Sequence, residues 1–179
     1  MRTPLWCAGL GVLLSLGAGH AFTQEKGGPI DVKVVKYDGL KEAVLQNRGK
    51  VVVVDFWSTS CPPCIRNFPH MLETQKKYGK LGLVSLSVSL DKVDNDLGET
   101  PEKMKEKVVN RLRKLGSNIP NLLLDESDQV VQEKLRIDSI PSVYVFNRQG
   151  KWTKFGGTAG EGVDPAAVEK LVVELLQEK

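Results

Sequence analysis

Two cysteines separated by two prolines, Cys61-Pro62-Pro63-Cys64, are the residues of this chain best suited to covalent chemistry. They follow the apolar run Val51 to Trp57 across a short Ser58-Thr59-Ser60 loop, and a helical pattern starts at them. A thiol at a helix N-terminus faces unpaired N–H groups and the positive end of the helix dipole, and both favour its thiolate. Cys61 is therefore expected to be the N-cap-like, exposed nucleophile, and Cys64, one turn further in, the buried resolving thiol. Pro62 and Pro63 suit the first turn, where a missing N–H costs no intrahelical hydrogen bond. They also withhold two donors from the thiolate, a milder activation than in strongly oxidising pairs. The competing readings are weaker. A structural disulfide over so short a loop adds little entropy, and a zinc site would need two further ligands, whereas beyond the expected leader the chain has no other cysteine and only His70.

Asp55 interrupts an otherwise apolar strand beneath the cysteine helix. Desolvation there would raise its pKa toward the value a general base needs near neutrality, so it is expected to take the proton of Cys64. Ile140-Pro141-Ser142 lies between a helical and a strand pattern. A cis bond at Pro141 would set Ile140 beside the cysteine pair and leave its backbone free to pair with an extended substrate segment. Trp57, Pro62, Pro63, Ile140 and Pro141 form the expected substrate-contacting set. His70 reads as a solvated or packed side chain. The acidic stretch Asp91 to Glu99 does not have EF-hand spacing and reads as a solvated loop. The dithiol is itself the redox group, so no cofactor and no resident metal are expected.

The positioning elements alternate in type. Val32 to Tyr37 suits a strand, and Leu40, Ala43 and Val44 share a helical face behind Asp38 as N-cap, with Gly49 ending that helix. Val51 to Trp57 and Leu83 to Leu90 are continuous apolar strands of the kind that are covered on both faces. Met104, Val108, Leu112 and Leu115 make one helical stripe, opened by Thr100 and Pro101. A strand at Asn121 to Leu124, a helix from Ser127 to Leu135, and strands at Ser142 to Phe146 and Lys151 to Phe155 follow. The final helix is capped by Asp164 with Pro165 at N1. Strands alternating with helices imply an α/β sheet with parallel crossovers, and Asn147 to Gly150 turns one antiparallel hairpin at its edge.

The 179 residues, 41% hydrophobic and 26% charged, suffice for one domain with a real core. With 25 Lys+Arg against 22 Asp+Glu, interspersed along the chain, there is no electrostatic footprint for nucleic acid. Residues 1–21 read as a signal peptide: Arg2, an apolar run from Leu5 to Ala18, and a Gly19-His20-Ala21 cleavage site. An uncleaved membrane anchor is the alternative. Residues 22–29 read as a flexible tether and residues 30–179 as the domain. Cleavage removes Cys7 and leaves Cys61 and Cys64 as a pair.

These residues together resemble the thioredoxin-like proteins. Asp55-Phe56-Trp57, three further residues and C-x-x-C match the thioredoxin active-site segment. Pro69 matches the proline within that helix, Ile140-Pro141-Ser142 the cis-proline loop, and Gly150 and Gly156 the hairpin beyond it. The resemblance covers residues 31–178 and implies a thioredoxin-like α/β fold, a central mixed sheet flanked by helices. An additional helix and strand before the cis-proline loop, with Cys-Pro-Pro-Cys after a signal peptide, is similar to the TlpA/ResA-type exported thiol-disulfide oxidoreductases. Two positions depart from those patterns: Ser60 stands where many of that group carry Trp, and the Leu83 strand has no counterpart of thioredoxin's lysine. The group's likeness implies a periplasmic reductase of disulfide-containing or dithiol protein substrates, recharged by a membrane electron donor of DsbD/CcdA type and working in cytochrome c maturation. An oxidase using the same residues in reverse, and a Cu(I)-holding metallochaperone-like protein, are the alternatives. A peroxide-reducing relative would carry Thr-x-x-Cys, and Thr59 stands one residue too close to Cys61 for that.

Overall fold

The computed structural model describes residues 29–93, 99–160 and 162–178; the expected leader, residues 22–28 of the tether and residues 94–98 of the acidic loop lie outside them. In chain order the elements are β1 Val32–Val35, α1 Tyr37–Leu45, β2 Val51–Trp57, α2 Pro62–Tyr78, a 3-10 turn Gly79–Leu81, and β3 Leu83–Ser89. There follow α3 Pro101–Leu115, β4 Asn121–Leu124, α4 Asp128–Leu135, β5 Ser142–Phe146, β6 Trp152–Gly156 and α5 Pro165–Gln177. The strands form one mixed sheet in the order β1-β4-β3-β2-β5-β6. The pairs β1–β4, β4–β3 and β3–β2 are parallel, while β5 runs antiparallel to both β2 and β6. The α3–β4 segment thus enters the sheet between β1 and β3 instead of extending its edge.

All seven residues of β2 are buried, as an unbroken apolar run with neighbours on both sides and helices over both faces requires. Successive side chains point to opposite faces. Val52, Val54 and Phe56 pack with Leu40 of α1, Val131 of α4 and Tyr144. On the other face Val51 and Val53 pack with Val168 and Val172 of α5. Further along that face, Trp57 joins Phe68 and Met71 of α2 and Val108 and Leu112 of α3. Full burial of each such side chain is worth about 1.5–3 kcal/mol, which makes this interior the main source of stability.

Side-chain caps form at three helices: Thr100 and Asp164 as read from the sequence, and Ser127, which was expected inside its helix and instead precedes α4 as the N-cap. Thr100 Oγ1 accepts from Lys103 N at 3.3 Å, Ser127 Oγ from Val130 N at 3.3 Å, and Asp164 Oδ1 from Ala166 N at 3.0 Å. Helix α1 differs. It starts at Tyr37 with Lys36 at the N-cap position and no side-chain cap, so Asp38 sits inside the first turn. The reason is tertiary: Glu126 Oε1, from beyond β4, accepts the Tyr37 N–H at 2.8 Å and replaces a local cap. The helix ends at Leu45, and Gly49, at φ +83°, turns the chain into β2 after it. Among the described residues no helix is long and apolar enough to cross a membrane.

Candidate active site

Cys61 and Cys64 are joined in a disulfide at the head of α2, with Cα atoms 5.3 Å apart. Cys61 is the N-cap residue, extended at φ −100° and ψ 97°, and its Sγ accepts from Cys64 N at 3.3 Å. With Pro62 and Pro63 at the first two helical positions, the N–H of Cys64 is the earliest donor the helix can offer, and it is used. The expectation that Cys61 is exposed needs correction. It is 8% exposed and Cys64 1%, because the bonded pair packs among Trp57, Phe68 and Met71. Cys61 is still the more accessible sulfur, and it stands between exposed Ser60 and exposed Pro62 and Pro63.

Trp57 is fully buried, edge-on to Phe68 with ring centroids 5.4 Å apart, and its indole N–H donates to Ser87 Oγ at 2.8 Å. It therefore supports the cysteine helix from below, and the contact with substrate expected of it has no surface to act through. Ile140 packs against the cluster that holds both cysteines. The Ile140–Pro141 peptide bond is cis, and the Pro141 carbonyl accepts from Gly157 N at 3.2 Å.

Asp55 shares the Trp57 face of β2 and is 5% exposed. Burial pushes its carboxyl from 3.8 up to about 7, with no cation or hydrogen-bond donor among the described residues to stabilise the charged form. A cavity of about 40 Å³ adjoins it, lined also by His70 and Thr74 of α2, Ser85 of β3, and Pro141. Asp55 and Pro141, far apart in sequence, thus meet at one cavity under the cysteine helix. His70 is exposed, as the sequence suggested, and its side chain reaches the cavity rim.

One residue that sequence reasoning placed in solvent belongs to the site. Asp91 is 8% exposed. Its carboxylate accepts from Thr59 N at 2.8 Å, Thr59 Oγ1 at 2.5 Å and Ser89 Oγ at 2.7 Å. Asp91 thereby fixes the loop that delivers Cys61. Parallel pairing of β2 with β3 sets Trp57 opposite Ser89, so the ends of the two strands arrive side by side. The signal was in the β3 sequence: Ser85, Ser87 and Ser89 recur at period two and form a polar stripe on the cysteine side of the sheet. Among the described residues no group of three His, Cys, Asp or Glu side chains could hold a metal ion.

Comparison with known proteins agrees with this geometry. The thiol-disulfide oxidoreductase ResA of Bacillus subtilis (strain 168) is 29% identical over 107 residues, 60% of this chain and 52% of that protein. ResA of Geobacillus thermodenitrificans (strain NG80-2) is 31% identical over 117 residues, 65% of this chain and 60% of that protein. The matches therefore span a little over half the length of those relatives. Among solved structures, a putative thiol:disulfide interchange protein DsbE from Chlorobium tepidum superposes with a TM-score of 0.58 at 22% identity, covering 74% of this chain and 84% of the other. The thioredoxin domain of a thiol-disulfide oxidoreductase from Bacteroides vulgatus gives 0.54 at 26% identity, covering 72% and 84%. Residues 30–154 match the AhpC/TSA family. The chain belongs to that family and carries its thioredoxin-like fold.

Proposed function

We propose that this chain is an exported thiol-disulfide oxidoreductase that reduces disulfides in partner proteins. The observation that carries the reading is the Cys61–Cys64 disulfide at the head of α2, with Asp55 buried under the same helix. In the reduced protein the Cys61 thiolate attacks one sulfur of a substrate disulfide. The substrate S–S bond breaks, one substrate thiolate leaves and takes up a proton, and a mixed disulfide to Cys61 remains. Cys64 then gives its proton to Asp55 and attacks Cys61 Sγ, expelling the second substrate thiolate. Two electrons have passed to the substrate, and the chain is left in the disulfide form described above. Ile140, packed against the cysteine cluster, offers its backbone to an extended substrate segment, with Pro141 fixing the loop behind it, and Pro62 and Pro63 form the exposed rim.

The relatives named ResA and the DsbE-like fold support the same class of reaction. Outside the cytosol the oxidised protein needs two electrons from a membrane donor, for which a DsbD/CcdA-type protein fits, and apocytochromes c fit as substrates. The leader ending at Ala21 supports export to a bacterial periplasm, or anchoring there if it is retained. Equilibration of the pair with thiol buffers tests the direction. A potential near the about −270 mV of thioredoxin supports a reductase, and one near the about −120 mV of DsbA reverses the assignment to an oxidase.

A further inference from the structure

The sheet face turned away from the cysteines carries a second concavity. A groove of about 340 Å³ opens over β2 and β5, walled by α1, the C-terminal end of α4 and the β5–β6 hairpin. That volume lies in the range of about 300–1,000 Å³ that small-molecule sites occupy. Because Val52, Val54 and Phe56 point to this face while Asp55 and Trp57 point to the other, the groove is separated from the dithiol by the thickness of the sheet.

Its floor is aromatic and already ordered. Tyr144 meets Phe56 edge-on at 5.6 Å and Trp152 edge-on at 4.9 Å. Trp152 is 47% exposed and Leu45 41%, so two of the four exposed large apolar side chains of the described residues line this one groove. The rim is positive. Lys41, Arg48, Lys50, Lys134 and Arg136 all line the groove, and no Asp or Glu does. All five are exposed, and none joins an ion pair among the described residues; the pairs that form there use Lys36, Lys77, Lys92 and Lys107. Lys134 lies over the Tyr37 ring, 4.8 Å from its centroid, which holds one of these charges at the mouth. In a chain whose charges nearly balance, this is a one-signed ring around a desolvating floor.

We infer that this groove binds a small amphiphilic carboxylate, with its apolar body on the Tyr144–Trp152 floor and its anion among the rim cations. Charge complementarity selects the anion, and the exposed Trp152 ring, backed by the buried Tyr144 and Phe56, selects the apolar body. The exposed apolar groups sit within a concavity, which suits a single molecule and not a membrane surface.

Calorimetric titration of the full chain with monomeric decanoate, decanol and decyltrimethylammonium tests the assignment independently of any thiol chemistry. Decanoate is expected to bind one-to-one, and the neutral and cationic analogues about tenfold or more weaker. The double variant Arg48→Glu/Lys134→Glu should lose decanoate by a similar factor, and Trp152→Ala should weaken all three ligands. Both variants should keep the reduction of a protein disulfide, which shows that they fold. Absence of decanoate binding, equal binding of all three probes, or an undiminished affinity in the charge-reversed variant would overturn the proposal. Binding only to phosphatidylglycerol vesicles, or only to a hexaglutamate peptide, would also overturn it and reassign the face to a membrane or to an acidic protein segment.

Discussion

Asp55 is a carboxylate whose ionisation the fold opposes, and that opposition has a sign. Its folded pKa of about 7 lies above the ordinary 3.8, so its relative stabilisation is complete below pH 3.8 and is lost as pH rises through about 7. Above that pH the ionised group costs up to about 4 kcal/mol, at about 1.36 kcal/mol per unit of pKa. Asp55→Asn should therefore stabilise the oxidised protein at pH 8 and change it little at pH 4, as read by denaturant unfolding at the two values. The same variant should slow resolution by Cys64 near neutral pH, with recovery as pH rises and the thiol ionises unaided, while attack by Cys61 changes less. Equal stability of variant and parent at pH 8 would contradict the buried placement. Asp91 acts differently, through bonds already made. Asp91→Ala strands the Thr59 N–H and two hydroxyl groups, which should cost about 3 kcal/mol in urea unfolding and slow the first attack by loosening the loop before Cys61. Asp91→Asn keeps one acceptor oxygen and should recover part of both losses.

The cis-proline loop is held from behind by the end of β6. Gly156 adopts φ +64°, and a Cβ there would lie 2.6 Å from the Pro141 carbonyl oxygen and 2.8 Å from Val163 Cγ2. Gly156→Ala should destabilise the fold by about 1–3 kcal/mol and displace the loop. Reaction with a protein disulfide should then suffer more than reaction with a small aromatic disulfide, which needs no backbone pairing; equal loss on both substrates would show that the loop takes no part in recognition. The elements themselves were largely legible. The unbroken valine run of β2, the Met104-Val108-Leu112 stripe of α3 and the Thr100 and Asp164 caps are local signals with local causes. The start of α1 was not legible, because its cap is Glu126, 89 residues away. Asp91 was misread for the same reason: in one dimension it opens an acidic loop, and only the β2–β3 register brings Thr59 to it.

At the scale of the molecule, the sheet divides two candidate sites. One face carries the dithiol, Asp55 and the cis-proline loop, while the other carries the groove ringed by cations. The first could be read from the sequence because its chemistry is concentrated in Cys61-Pro62-Pro63-Cys64 and the strand before it. The second could not, since its five cations come from α1, the turn before β2 and the end of α4 and become a ring only when the sheet forms. The proposed reaction depends on an ordered pair of thiols, with Cys61 attacking and Cys64 releasing. Incubating the reduced Cys64→Ser and Cys61→Ser variants with a disulfide-bonded protein and resolving the products without reductant tests that order directly. Cys64→Ser should accumulate a covalent adduct through Cys61, since nothing remains to resolve it, and Cys61→Ser should accumulate none. The reverse pattern, or adducts in neither variant, would contradict the assignment.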